Sequence, residues 1–417
     1  EYLVTMNLKL VGHHVGGRNA SVSFLPPPPF QKDFVSVLYD ADAACVEQIL
    51  ERTADSAYAV RAFPYCLGAG KSSAYLNINY CSYASSLLDL NKRFASFYEF
   101  TKPLDYVYGD TMQTMERIPV EVTDLDTILS NDSNVPAPDF LSLDVEGMEF
   151  DVLIGAAEAL NTNVLGVVSE IMFHEVREKQ KTFDHIRPLL DDQGFDFVRF
   201  TYLHDFSPVR GPVGARGEGY QLAGDALFIR RLNTIPTMTE KVDEQFLLAV
   251  KLAFIAVNWG LLEYANEVFE WACSLDVNER YRKTIETTSY GRFLVRLDAA
   301  VKALPEAYPP LFSEAMDYET SRSRSTPSST NAHTGWRYHL KEWLLKRPTL
   351  LNIIRETRYV LWAVRDALEH LAVWLDYITK PRHSIIERLL IEHGLDRLAK
   401  TVRNHRKTEL PYVRRSR

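Results

Sequence analysis

The stretch Asp139-Phe140-Leu141-Ser142-Leu143-Asp144-Val145-Glu146-Gly147-Met148-Glu149-Phe150-Asp151-Val152-Leu153 changes period in its middle. Its first half is a short apolar run closed by a carboxylate, the pattern of a buried strand with Asp144 at its carboxyl edge. In the second half Met148, Val152, Leu153, Ala156, Ala157 and Leu160 recur at helical spacing, so a helix is expected to begin near Glu146-Gly147. An open α/β sheet binds its ligands in the crevice outside the carboxyl ends of its strands. An acid at such a strand end, followed at once by a helix, is therefore a place to look for chemistry.

The same pattern recurs on both sides of the stretch. Upstream, residues 8–11 read as a strand that enters the loop His13-His14-Val15-Gly16-Gly17-Arg18-Asn19. Glycines at a strand exit permit positive φ and close approach of a ligand. The spacing is not that of the dinucleotide fingerprint, which disfavours a nicotinamide dehydrogenase. A second apolar run, Phe34-Val35-Ser36-Val37-Leu38-Tyr39, ends in Asp40, where a Rossmann-like site binds ribose hydroxyls, and Asp42 can cap the helix that follows. Residues 58–67 form a third strand, 73–78 alternate like a hairpin strand, and Asp126 reads as structural. Downstream, 164–171 make another buried strand with Glu170 as a third carboxylate at a strand end, and His174 close behind it. Residues 182–190 give a helix that Pro188 bends or ends, and 195–200 and 225–230 are the last two strands. The long loop between those strands, 211–219, is a candidate lid. Strands and helices alternate to about residue 231, which argues for an α/β, doubly wound, Rossmann-like sheet with helices on both faces.

The chain has 417 residues, too many for one ordinary domain. We divide it at 1–235 for the α/β domain and 236–315 for a helical hairpin extension. A Ser- and Arg-rich disordered linker over 316–335 and a helical, basic segment over 336–417 complete it. That tail is expected to pack on the body, on a second subunit as in a homo-oligomer, or on a membrane surface, with a protein contact favoured. A net charge of −8 argues against a nucleic-acid partner. The four cysteines lack metal or disulfide spacing and fit reduced thiols, hence a cytoplasmic protein. No long uncharged apolar run suggests a spanning helix. The first residue is Glu1, so an upstream segment is not excluded.

The run from Leu141 to Leu160 resembles the signature of the FkbM-type methyltransferases: a strand, then Asp-x-(Glu or Gln)-Gly-x-Glu, then a Val-Leu-x-Gly-Ala helix. The resemblance covers about residues 8–232. It implies a class I methyltransferase sheet with a reversed last strand, S-adenosylmethionine as cofactor, and a small-molecule or glycan substrate. On it, His14, Gly16, Gly17 and Arg18 match the first cofactor loop, with His14 where the family has an acid. Asp40 matches the ribose-binding acid, and Ser85 and Ser86 match a Ser-Ser-Leu segment near the active site.

Methyl transfer from a sulfonium is an in-line displacement that needs positioning and removal of one proton. Asp144 is the first choice for base or acceptor-orienting group as well as a cofactor contact; Glu146, Glu170 and His174 are second choices. The bland alternative for Asp144 is a helix cap. Asp144, Glu170 and His174 together could hold a divalent cation, but nothing in their spacing demands one, and no metal is expected. The leading reading is an O-methyltransferase acting on a carbohydrate or related natural product. The competing one is a methyltransferase-fold scaffold, weakened by His14 in its first loop, whose helical tail binds a protein partner.

Overall fold

Short β-rich segments, each apolar on at least one face, separate the helical periods of this chain. The computed structural model describes residues 8–16, 23–99, 104–212, 218–304 and 391. In chain order the strands are β1 (Leu10–Val15), β2 (Phe34–Tyr39), β3 (Ala59–Phe63), β4 (Cys66–Leu67), β5 (Ser72–Asn79) and β6 (Tyr98–Glu99). They continue as β7 (Tyr106–Val107), β8 (Thr114–Thr123), β9 (Phe140–Leu143), β10 (Gly166–Met172), β11 (Phe195–Ser207) and β12 (Tyr220–Arg230). The helices are α1 (Ala43–Arg52), α2 (Tyr108–Thr111), α3 (Leu125–Asn131), α4 (Glu149–Ile154), α5 (Ala157–Thr162) and α6 (Phe183–Asp192). After β12 come α7 (Ile235–Met238), α8 (Val242–Asn258), α9 (Leu262–Ser274), α10 (Glu279–Glu286) and α11 (Ser289–Lys302).

Among the described residues the main sheet runs β3-β2-β1-β9-β10-β12-β11-β6-β7, and β4-β8-β5 form a small second sheet. The five strands β3, β2, β1, β9 and β10 are parallel, whereas β12 runs antiparallel to β10 and to β11. The reversed strand expected from the resemblance is therefore β12. Both faces of the central strands are buried, as a parallel sheet requires. On one face Val11, Val37, Leu141 and Val167 pack under Ile128, Val152, Leu160 and Ile186 of α3 to α6. On the other, Leu38 meets Cys45 and Ile49 of α1, and the Phe140 ring stacks on Trp259 at 6.0 Å.

Helix α8 is buried from Ala249 to Val257 and carries Lys251, whose ammonium lies 2.9 Å from both carboxylate oxygens of buried Asp139. Asp139 also accepts the Val11 N–H at 2.8 Å, so one carboxylate ties α8 to the foot of two strands. Further along, the Tyr264 hydroxyl donates to the Arg230 carbonyl at 2.5 Å and Tyr290 to the Leu8 carbonyl at 2.6 Å. The described residues up to Asp298 accordingly fall in one compact unit, helices α7 to α10 included.

Several expected boundaries move. The first strand extends through His13 and His14 to Val15, because both rings find partners inside the fold. The stretch 58–67 divides between the two sheets, with β3 in one and β4 in the other. Pro188 sits inside α6, which runs on to Asp192, and Thr182 and His185 form a capping box at its start. The last two strands are longer than their apolar cores, since a hairpin can pair well beyond its buried part. Gly17, Arg18, most of the lid loop, the linker and all but one residue of the basic tail lie outside the described residues. No helix among the described residues is long and apolar enough to cross a membrane.

Candidate functional site

Strand register brings four of the predicted residues into one line. Val15 lies opposite Tyr39 on β2 and opposite Leu143 on β9, and Leu143 lies opposite Ser169 on β10. One position further along these parallel strands stand Asp40, Gly16, Asp144 and Glu170. The antiparallel β12 then sets Asp225 opposite Glu170. The carboxyl edge of the sheet is thus a row of acids interrupted by one glycine.

The glycine is required there. Gly16 has φ +98°, and a Cβ on it would run into the Asp144 carbonyl oxygen. Its N–H donates to the Tyr39 carbonyl at 3.1 Å, and the Asp144 N–H donates to Val15 at 3.0 Å, which locks the strand tips together. Above the row opens a crevice whose lining includes Gly16, Asp40, Ser85, Ser86, Asp144 and Glu146. Leu67, Leu76, Val145 and Met148 give it apolar walls beside the Tyr65 ring. Most ligand pockets are built this way, largely apolar with a few converging polar groups.

The turn after β9 is tightly held. Glu146 has φ +55°, rare for a residue with a side chain, and Gly147 has φ +111°. The Glu149 carboxylate accepts the Val145 N–H at 3.0 Å and the Gly147 N–H at 3.1 Å. The Ser86 hydroxyl donates to the Glu146 carbonyl at 2.7 Å. Arg177, fully buried, donates from Nη2 to the Glu146 carboxylate at 2.5 Å and to the Ala84 carbonyl at 2.9 Å. With two left-handed residues ahead of it, the helix starts at Glu149 rather than at Glu146-Gly147. Asp144 is therefore not its cap.

Carboxylate oxygens of Asp144, Glu146 and Glu170 all lie within 4.8 Å of one another. His174 stands apart, its ring packed 6.0 Å from that of Phe94. The cation set weighed from the sequence is thus assembled with Glu146 in place of His174, and the Arg177 guanidinium already supplies a positive charge at Glu146. Asp144 is open to the crevice but walled in by protein. Confinement and then the charges of Glu146, Glu149 and Asp225 raise its carboxyl above the ordinary range. Burial does the same to Glu170, reinforced by Glu146 and Asp144, and its Oε2 is sealed without a hydrogen-bond partner. Buried Glu149 is pushed up to about 7 against the pull of its backbone donors. The arrangement can hold a positive charge, hold a proton, or take one up near neutral pH.

His14 does not line the crevice. Its Nδ1 is 2.8 Å from the Ser142 hydroxyl within the sheet, and burial lowers its pKa to about 4. His13 points to the other face, with Nε2 2.8 Å from the Pro136 carbonyl and Nδ1 3.1 Å from the Tyr39 hydroxyl. Ser85 accepts the Asn79 N–H at 3.2 Å. Asp126 accepts the N–H groups of Glu158 and Ala159 at 2.7 and 2.9 Å, so its role is to start α5. Sequence reasoning missed Arg177 and Glu149. Glu149 was visible as the last acid of the signature, whereas a lone arginine between Val176 and Glu178 carries no periodic signal.

The sequence profile described as the methyltransferase FkbM domain matches residues 43–197. Among solved structures the chain is similar to the methyltransferase FkbM from Methylobacillus flagellatus KT. The identity is 14%, with 53% of this chain and 44% of that chain covered and a TM-score of 0.30. The chain thus spans less than half the length of that protein. It is also similar to the magnesium protoporphyrin IX methyltransferase from Synechocystis PCC 6803 with bound SAM, at 10% identity. That match covers 55% of this chain and 74% of the other with a TM-score of 0.27. No curated protein matches the sequence. Residues 43–197, which hold every predicted site residue that the structure describes except His14, Gly16 and Asp40, match the methyltransferase FkbM domain.

Proposed function

We propose that the chain is an S-adenosylmethionine-dependent methyltransferase that methylates a hydroxyl of a carbohydrate or a related natural product. The observation that carries this reading is that Asp40, Gly16 and Asp144, neighbours in one row of strand ends, open into one crevice, with Glu170 next in the row. The residues fit the cofactor on their own chemistry. Asp40 offers a carboxylate to ribose hydroxyls, and Leu67, Leu76, Val145 and Met148 suit the faces of an adenine ring. Gly16 lets the tip of β1 close against the Asp144 backbone at the crevice, and the neighbouring carboxylates suit a sulfonium. Bound there, the cofactor supplies an electrophilic methyl group.

What the protein contributes is placement and a proton acceptor. Holding two reactants in line is worth about 7–11 kcal/mol of barrier. Asp144, raised toward neutrality and open to the crevice, takes the hydroxyl proton, and Glu170 beside it accepts or returns it. Exposed Tyr80 and Tyr83, at 72% and 59%, support a sugar-like acceptor, since Tyr83 lines the crevice and aromatic rings pack on apolar faces. His14 favours a second reading. The acid expected there is replaced by a ring turned into the sheet, as a weakened scaffold would allow.

Transfer of a labelled methyl from S-adenosylmethionine to a panel of free sugars and glycosides tests the first reading. Label in an ether linkage is expected, with a loss of roughly a hundredfold in Asp144→Asn. Label on nitrogen or carbon acceptors alone would contradict it.

A further inference from the structure

The turn bearing Glu146 is held from outside the signature by a residue no motif singles out. Arg177 is fully buried, and its Nη2 bridges the Glu146 carboxylate and the Ala84 carbonyl. Its own N–H donates to Gln180 Oε1 at 3.1 Å, and an isolated bridge joins it to Leu90. The side chain thus joins three segments: the turn after β9, the turn 82–86 that lines the crevice, and the loop after β10. A Cβ on Gly147 would crowd Arg177 Cδ at 3.1 Å, so the turn and the arginine are fitted to each other. Nε and Nη1 are buried without partners. A guanidinium can offer five N–H donors, and a buried one left half-satisfied is costly. The fold tolerates that cost beside a crevice lined by Asp144 and Glu146, whose carboxylate oxygens lie within 4.8 Å of each other and of Glu170.

We infer that Arg177 is a positioning residue that fixes the Glu146 carboxylate in the crevice, where it favours a positively charged sulfonium over an uncharged thioether. The inference rests on the cofactor reading above. It gives the site a means of holding S-adenosylmethionine and releasing S-adenosylhomocysteine, since transfer of the methyl removes the positive charge.

Titration calorimetry with both compounds on the full chain tests it through their affinity ratio. Glu146→Gln is expected to lower the preference for S-adenosylmethionine by roughly tenfold or more, the effect of losing one nearby opposite charge. Arg177→Met is expected to lower it by a similar factor by releasing Glu146, and the double variant by no more than either single one. Arg177→Lys, which cannot bridge both acceptors in the same way, is expected to fall between. Should Arg177→Met not fold, Arg177→Lys decides, and an unchanged ratio there overturns the inference. Equal loss of both ligands in Arg177→Met would make the residue merely structural, and a raised ratio would make it a repulsive charge; either result overturns the inference and leaves the cofactor reading standing. Wild-type protein that binds neither compound would overturn both.

Discussion

Asp144, Glu149 and Glu170 are carboxyls whose surroundings make ionisation expensive, and that has a measurable consequence. For Glu149 the ordinary value of 4.5 is raised to about 7. A carboxyl raised in the folded state binds more protons there than in the unfolded state between those two values, so its contribution to stability is full below 4.5 and is lost as pH rises toward 7. The thermal stability of the wild type is therefore expected to fall between mildly acidic and neutral pH, and Glu149→Gln to flatten that slope. A wild-type midpoint that rises with pH over this window would contradict the assignment. Gly16→Ala is expected to cost at least about 1–3 kcal/mol from its left-handed backbone alone, read as a lower unfolding midpoint. An unchanged midpoint would mean the strand tips are further apart than described.

At the scale of elements, the turn between β9 and α4 was half legible. The strand-end carboxylates Asp40, Asp144 and Glu170 could be read because a buried apolar run followed by an acid has few other meanings. The helix start could not, because Glu146 adopts a left-handed conformation that is imposed by Ser86 and Arg177 from distant parts of the chain. His13 and His14 misled for a similar reason. Next to two glycines they look like a loop, and only the partners Pro136 and Ser142 make them strand interior. Asp126 gave itself away by its place ahead of the signature, and its cap on α5 can be tested. Asp126→Ala is expected to lower stability by about 0.5–2 kcal/mol without altering cofactor affinity. A loss of affinity comparable to that of Asp40→Ala would place it in the site after all.

The whole molecule shows what composition cannot. A helix as uniformly apolar as α8 signals burial, but not against what. In the structure it covers a face of the sheet, and its single lysine is matched by Asp139 at the foot of β9. Lys251→Met would leave that carboxylate buried and unpaired, at a cost of about 3–5 kcal/mol, whereas Lys251→Met with Asp139→Asn should recover part of it. Comparing the unfolding midpoints of both variants checks this. By the same reasoning a chain cut after residue 235 is expected to aggregate, since it uncovers Phe140 and its neighbours. The central claim concerns the crevice at the other end of the strands. It is tested most directly by titrating S-adenosylmethionine into wild-type and Asp40→Ala protein in a calorimeter. Micromolar binding that the substitution abolishes is the predicted result. Absent or millimolar binding to the wild type would contradict the account.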